Sequence, residues 1–255
     1  MWKIAKYIFW SVFKSRFLIA YTLFLFFIAN GFFMFESDNS KAITGLLSIV
    51  LTVVPLVTII FTTIYFYNST EFLELLLAQP ISRATIFFGE VIGVSVAMLS
   101  AFIIGIGIPI LFYSVSSINL TLIGVGGAQT LIFVAIAFLA SVLTRDKAKG
   151  IGLSLMCWFY FAIIYDAIVL AILFAFNDYP LDSTTIILST LNPIDLSRII
   201  VLMQLDVSAL MGFTGALYKS FFGDSLGILI ALFGELLWLF LPVILAFRVF
   251  KKRDW

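Results

Sequence analysis

Long apolar runs separated by short polar segments dominate the hydrophobic pattern of this chain. A helix needs about 20 consecutive apolar residues to cross a bilayer. The runs predict six spans, at residues 17–35, 43–67, 87–113, 119–143, 150–176 and 226–250. Only helices satisfy their own backbone hydrogen bonds over such runs in lipid. The predicted fold class is therefore all-α: a polytopic membrane protein with six transmembrane helices in one domain over residues 1–255.

Residues 1–16 predict a separate N-terminal helix with two different faces. At 100° per residue, the basic residues Lys3, Lys6 and Lys14 share one side, and the opposite side is apolar. This pattern is typical of an amphipathic helix in the inner membrane interface, with its basic groups near anionic lipid headgroups. The alternative is that these residues only flank the first span.

The distribution of lysine and arginine predicts the orientation. With the N-terminus inside, twelve of the 15 basic residues fall in inner segments, and only Lys41, Arg198 and Lys219 fall in outer ones. Cytoplasmic loops carry the excess of positive charge in membrane proteins. We therefore expect a multi-pass protein of the cytoplasmic (inner) membrane with both termini in the cytoplasm.

Composition narrows the possible functions. Charged residues make up 11% of the chain and the net charge is +1, which gives no electrostatic basis for binding nucleic acid. Histidine is absent and Cys157 is the only cysteine, so the usual ligands of zinc sites and the bases of most hydrolytic mechanisms are missing. We expect no catalytic residue, no metal site and no cofactor bound by the chain itself.

The segment between spans two and three predicts a short amphipathic helix at the cytoplasmic surface, within residues 68–86. Asn68 can cap its N-terminus, Glu71 can complete a capping box, and Pro80 can end it. Ser82 can then cap the following helix. Its apolar stripe consists of Leu73, Leu76 and Leu77. Such a helix is suited to transmit force from a cytoplasmic partner into two spans; the alternative is an ordinary interfacial connector.

The residues from Glu71 to Arg83, Glu-Phe-Leu-Glu-Leu-Leu-Leu-Ala-Gln-Pro-Ile-Ser-Arg, resemble the corresponding segment of type-2 ABC exporter permeases. An amphipathic N-terminal helix, six spans and a longer outer segment before the last span also fit that family. The resemblance implies a permease that works with a separate cytoplasmic ABC ATPase, which binds ATP and Mg²⁺, and with a second permease copy as a homodimer. It also implies which residues contact the ATPase: Glu71, Glu74, Gln79, Pro80 and Arg83.

No phosphate-binding loop is predicted within the chain itself. The nearest approach is the stretch from Gly212 to Ser220, but Tyr218 stands where the motif needs a glycine before Lys219. This agrees with an ATPase carried by another subunit.

The outer helical segment, residues 177–225, contains a second informative motif. Asn192 is a good N-cap, Pro193 suits the first helical turn, and Asp195 favours the positive end of a helix. The pattern predicts a helix that continues to about Leu205.

The Asn-Pro-x-Asp motif, followed by Arg198 and a run of small residues, resembles permeases of the Nos type. These serve maturation of the copper centres of nitrous-oxide reductase in denitrification, together with an ATPase and a periplasmic partner protein that handles copper. The resemblance implies that Asn192, Pro193, Asp195 and Arg198 form an outer helix that faces this partner. The alternative is a capped helix that covers the outer mouth of a general exporter.

Three acidic residues are predicted within the spans: Glu90, Asp166 and Glu235. A charged side chain at the bilayer centre costs about 2.5–3.5 kcal/mol on insertion scales. With no lysine or arginine expected at that depth, these residues either line a path between two permease halves or form hydrogen bonds between helices. Candidate partners for such hydrogen bonds are the hydroxyl groups of Tyr160, Tyr165 and Thr130.

The sequence therefore favours the permease subunit of an ABC complex of the Nos type, which passes a solute or transmits movement to a periplasmic partner. Two alternatives stay open. One is a general type-2 exporter of a drug, glycan or lipid-like substrate, and the other is a membrane anchor that recruits a partner without transport.

Overall fold

The computed structural model describes residues 1–36, 39–176, 187–204 and 225–253, and within those ranges it contains helices and no β-strand. The helices, in chain order, are α1 (Trp2–Phe13), α2 (Arg16–Phe35), α3 (Asn39–Asn68), α4 (Thr70–Leu77), α5 (Arg83–Tyr113), α6 (Ser117–Leu143), α7 (Lys147–Ala175), α8 (Pro193–Leu202) and α9 (Ser225–Lys252). Most of the predicted outer segment, residues 177–186 and 205–224, lies outside the described residues.

Six of these helices are long and apolar enough to cross a membrane: α2, α3, α5, α6, α7 and α9. Each begins and ends within about four residues of the predicted span. The prediction of an all-α protein with six spans is therefore confirmed.

Helix α6 is the centre of the bundle. Of an 18-residue apolar stretch of α6, 72% is buried, whereas only 6% of the corresponding stretch of α7 is buried. Small residues allow this central position: a Cβ atom added at Gly126 would overlap Cζ of Phe102 in α5. Nearer the C-terminal end of α6, the ring of Phe138 packs edge-on against two other rings. Its centroid lies 5.7 Å from that of Phe66 in α3 and 6.2 Å from that of Phe87 in α5. These contacts make α3, α5 and α6 one packed unit.

Helix α1 lies against α5 rather than continuing as the start of the first span. Its buried residues are Ala5, Ile8 and Val12, and this side of α1 meets two glycines of α5. A Cβ atom at Gly93 would lie 2.7 Å from Ile8 Cβ, and one at Gly89 would lie 2.8 Å from Ile4 Cγ2. The side of α1 that carries Trp2, Tyr7 and Trp10 is exposed, as expected of residues that face lipid headgroups.

The α3–α4 junction differs from the sequence prediction at its cap. Asn68 does not cap α4, because α3 continues to Asn68 itself and Ser69 takes the N-cap position. The hydroxyl groups of Ser69 and Thr70 instead donate to the carbonyls of Phe66 and Tyr67, both at 3.0 Å. These bonds satisfy the open end of α3, so the chain turns into α4 over one residue. Ser82 does cap α5, as predicted, and its Oγ accepts from the Thr85 amide at 3.2 Å.

Two spans contain a single π turn, at Ile103–Gly107 in α5 and at Tyr160–Ile164 in α7. A π turn interrupts the regular backbone ladder and is often found at functional positions. At the first, a Cβ atom on Gly105 would lie 2.7 Å from Leu25 Cβ, so the glycine lets α2 approach. At the second, the carbonyl of Phe161 accepts from Asn192 Nδ2 at 3.0 Å.

The packing of α1 on α5 predicts that Gly93→Val will push α1 away from the bundle. A buried valine of α1, replaced as Val12→Cys in a Cys157→Ser background, should then react with a maleimide several-fold faster. The matched control is Gly152→Val, because no atom lies within 4 Å of a Cβ at that position. Equal labelling rates in the two glycine variants would contradict the packing.

Candidate functional site

One end of the bundle carries α4 and is held together by arginine side chains; we call it the α4 end. Arg83, at the start of α5, donates from Nη1 to the carbonyls of Lys251 and Arg253, at 2.8 and 3.0 Å. Arg253 in turn donates from Nη1 to the carbonyls of Val142 and Thr144 at the end of α6, at 2.9 and 3.0 Å. The last turn of α9 is thereby fastened to both α5 and α6.

A second set of contacts joins α3 to α6 and α7 at the same end. Lys147 Nζ donates to Asn68 Oδ1 at 2.8 Å. The Tyr67 hydroxyl lies 2.5 Å from Thr144 Oγ1, and a Cβ on Gly150 would meet that tyrosine ring, so the ring fits over a glycine of α7. Five helix ends, those of α3, α5, α6, α7 and α9, therefore meet beside α4.

Helix α4 has one face buried and the other exposed. Leu73 and Leu76 are buried against the bundle, as the predicted apolar stripe requires. The opposite face carries Glu71, Glu74 and Leu75, and Leu75 is 67% exposed although its side chain is apolar. The next turn adds exposed Gln79 and Pro80. We call these five residues the α4 surface: Glu71, Glu74, Leu75, Gln79 and Pro80.

Four of the five residues that the resemblance assigned to ATPase contact lie on this surface. The fifth, Arg83, is also exposed, but its guanidinium is engaged with the carbonyls at the end of α9. Its contacts make it a link between the α4–α5 turn and the C-terminal helix. Leu75 was not singled out from the sequence, because a leucine in a run of leucines is expected to be buried.

Helix α4 is also joined to the N-terminal helix. The rings of Tyr7 in α1 and Phe72 in α4 lie 5.3 Å apart, and Phe72 packs partly into the core. A displacement of α4 would therefore act on α1, α3 and α5 together.

At mid-depth in the spans, α8 is a re-entrant helix rather than an outer one. Pro193 O accepts from Gln129 Nε2 at 2.8 Å, and Gln129 lies about 18 Å along α6 from the Ser117 end. At the other end of α8, Gln204 Oε1 accepts from Thr121 Oγ1 at 2.9 Å, close to the start of α6. The N-terminus of α8 thus lies near the middle of the bundle, and its C-terminus lies near the surface.

The predicted cap of α8 is confirmed, and its surroundings explain why an asparagine serves there. Asn192 Oδ1 accepts from the Ile194 amide at 3.0 Å, while its Nδ2 donates to Phe161 O in the π turn of α7. Asn192 and Pro193 are buried, so in this structure they hold α8 in place and do not form a surface for a partner. The helix ends at Leu202, three residues before the predicted end.

An ion-pair cluster joins α8 to α7. Arg198 Nη1 lies 3.2 Å from Asp166 Oδ2 and 2.9 Å from Asp195 Oδ1. The expectation that no arginine would lie at the depth of Asp166 was therefore wrong. It failed because α8 folds back into the bundle and carries Arg198 with it.

Glu235 in α9 has a different partner from those expected. Its Oε1 accepts from Ser197 Oγ of α8 at 2.5 Å, and Ser197 accepts from Gln129 Nε2 at 2.6 Å. Neither Ser197 nor Gln129 was singled out from the sequence, although a glutamine in the middle of an apolar span was a visible signal. The network Gln129–Ser197–Glu235 joins α6, α8 and α9.

Glu90 stands apart from both groups. It is 1% exposed in α5, about 10 Å from the start of that helix, and it lies near Tyr65 of α3. Neither of its carboxyl oxygens has a hydrogen-bond partner within the described residues. Those residues also contain no group of three or more His, Cys, Asp or Glu side chains that could hold a metal ion.

The ion-pair cluster predicts that Arg198→Met will destabilise the protein, because it leaves Asp166 and Asp195 without their cation. We expect the free energy of unfolding to fall by about 1–3 kcal/mol, which is less than for a fully buried ion pair. The reason is that the Arg198 and Asp166 side chains are each 36% exposed. The double variant Asp166→Asn/Arg198→Met should recover part of the loss. Thermal unfolding in detergent measures this, with Arg16→Met as the exposed control; equal shifts for both arginine variants would contradict the assignment.

Comparison with known proteins identifies relatives of the whole chain. Over an alignment of 291 positions it is 25% identical to the "Probable ABC transporter permease protein NosY" of Stutzerimonas stutzeri, and the alignment covers 99% of this chain and 98% of the relative. It is also 25% identical over 233 residues to the protein of the same description from Pseudomonas aeruginosa, covering 83% and 85% of the two chains.

The family comparison agrees with these relatives. The sequence profile described as "ABC-2 family transporter protein" matches residues 70–255, from the first residue of α4 through α9. This range includes the α4 surface, the re-entrant helix and four of the six spans. The chain belongs to the ABC-2 transporter family.

Proposed function

We propose that this chain is the permease subunit of an ABC complex and that a separate cytoplasmic ATPase drives it through the α4 surface. The observation that carries the proposal is the combination of exposed Glu71, Glu74 and Leu75 with a buried rear face on the same short helix. An apolar side chain beside exposed acidic groups is suited to bind a partner with a small apolar pocket and a basic rim.

The contacts at the α4 end support a role in transmitting movement. Helix α4 follows α3 after one residue and precedes α5 by a short turn that contains Pro80. Arg83 links that turn to the last residues of α9. A force on α4 would reach three spans directly, and α6 would follow through the bonds from Arg253.

In this proposal the α4 end faces the cytoplasm of a cell with the protein in its inner membrane, and both termini are cytoplasmic. The excess of lysine and arginine in the segments at this end supports that orientation. A second copy of the permease completes the complex. Only 6% of an 18-residue apolar stretch of α7 is buried within one chain. A second copy could therefore cover this span.

The finer proposal is a role of the Nos type: supporting copper-site maturation of nitrous-oxide reductase through a periplasmic partner protein. It is supported by relatives described as NosY that match nearly the full length of the chain. Movement of α4 would shift α3, α5 and α9, and with α9 the re-entrant helix that Glu235 contacts. The outer segment would then either act on the partner or pass a solute to it.

The coupling proposal predicts that Glu74→Arg releases the ATPase. A reversed charge at the centre of the α4 surface should reduce the ATPase that co-purifies with the co-expressed permease about tenfold, or about 1.4 kcal/mol. Glu36→Arg is the matched control, because Glu36 is an exposed acidic residue at the C-terminal end of α2, away from the α4 end. Full retention of the ATPase by Glu74→Arg would contradict the coupling surface.

The Nos proposal predicts a different outcome in the cell. Deletion of the gene should leave nitrous-oxide reductase without its catalytic copper centre, as measured by metal analysis and absorption spectra of the purified enzyme. The wild-type permease should restore the centre, and Glu74→Arg should not. A fully metallated reductase in the deletion strain would exclude this role while leaving the coupling proposal intact.

A further inference from the structure

A groove of about 840 Å³ opens between α5, α6, α8 and α9, in the half of the bundle away from α4. The small residues Gly124, Gly127 and Ala128 of α6 line it. Its walls are apolar side chains of α5 and α9, including Ile103 and Leu236, and Gln204 lies at its surface end. The volume is within the range of roughly 300–1,000 Å³ that is typical of sites for drug-sized molecules.

The groove exists because α5 and α9 pack closely at the α4 end and leave space between them further along. At the α4 end, the ring of Phe247 lies 5.5 Å from Phe87 and 5.1 Å from Phe88. Along the groove, the walls that α5 and α9 provide are aliphatic apart from Glu235, as at Ile103 and Leu236, and α6 between them presents glycine. No atom lies within 4 Å of a Cβ added at Gly124.

One acidic side chain, Glu235, lines this largely apolar groove. The hydrogen-bond network behind it runs in one direction. Gln129 Nε2 donates to both Pro193 O and Ser197 Oγ, so the Pro193 carbonyl determines which way the amide points. Ser197 then donates to Glu235 Oε1. The carboxyl group is thus held as an acceptor and aimed by a buried scaffold.

The charges around the groove leave this carboxyl without a cation. Arg198 is occupied by Asp166 and Asp195, and within the part of the chain that the structure describes Glu235 takes part in no ion pair. Arg198 thus already faces two acidic groups, and Glu235 adds a third acidic side chain on α9. The N-terminus of α8 supplies about half a positive charge, which does not balance the excess.

We propose that the groove binds a lipid-soluble cation, an apolar molecule with a single amine or quaternary ammonium group that lies at Glu235. The apolar walls fit the body of such a molecule, and the oriented carboxyl group fits its charge. An anion would be repelled, and a polyhydroxyl molecule would leave its hydroxyl groups unpaired against the walls. Binding itself needs no ATPase, and only the further step, that the bound cation is cargo, rests on the proposed function.

Tetraphenylphosphonium tests the site directly, since it is a permanent apolar cation with an anionic counterpart of the same shape, tetraphenylborate. The full chain in phosphatidylcholine nanodiscs is dialysed against each ion, and empty nanodiscs give the background. We expect saturable binding of the cation only. Glu235→Gln should weaken it at least tenfold, and Gly124→Leu should abolish it by filling the groove. Gly152→Leu, which adds the same bulk where a Cβ meets no atom within 4 Å, should not change it.

Nanodiscs that contain phosphatidylethanolamine distinguish two sources of the cation. Competition by this lipid would identify an amine headgroup as the ligand, and its absence would identify a freely diffusing amphiphile; both outcomes support the site. Equal binding of tetraphenylborate, or unchanged binding by Glu235→Gln, would overturn it. One combined result would also overturn it: the wild-type chain binds neither ion, and Gly124→Leu dissociates a permease dimer. The groove would then be covered by a second copy of the chain and not by a ligand. None of these outcomes depends on whether Glu74→Arg releases the ATPase.

Discussion

Backbone groups at the ends of helices need hydrogen-bond partners, and in a membrane those partners must come from the protein itself. This constraint explains the arrangement of both candidate sites. The first amides of α8 lie at mid-depth, where Asn192 caps the helix and Gln129 binds the carbonyl of Pro193. Without those two amide side chains, a helix could not begin between α6, α7 and α9, and the network that reaches Glu235 would not form.

The same constraint acts at the α4 end, where arginine side chains, and not the amide side chains of Asn192 and Gln129, supply the hydrogen bonds. The last carbonyls of α6 and α9 accept hydrogen bonds from Arg253 and Arg83. Because each arginine bridges two helices, closing the helix ends also joins them. The connection of α4 to several spans is thus a consequence of how the helix ends are satisfied, and it means that a displacement of this short helix acts on several spans at once.

The two sites are connected through α9, which carries Arg253 just beyond its end and Glu235 near its middle. Aromatic packing of Phe247 and Phe250 on Phe87 holds α9 close to α5 at the α4 end, whereas the two helices leave a groove between them beyond it. A movement of the α4 end that changed this packing would alter the width of the groove. In the function proposed above, this geometry connects the α4 surface to the groove through one helix.

The sequence by itself determined the membrane class, the six spans, the short helix at α4 and the caps at Ser82 and Asn192, because these depend on local apolar length and on residues next to each other in the chain. The position of Arg198 beside Asp166, the burial of Asn192 and the contact of Ser197 with Glu235 were decided only by the tertiary structure. Each requires α8 to fold back between three spans, and no local pattern reports such an insertion. The exposure of Leu75 was missed for a related reason. The apolar run 75–78 does not show which of its residues is exposed, because this depends on how α4 packs on α3 and α5.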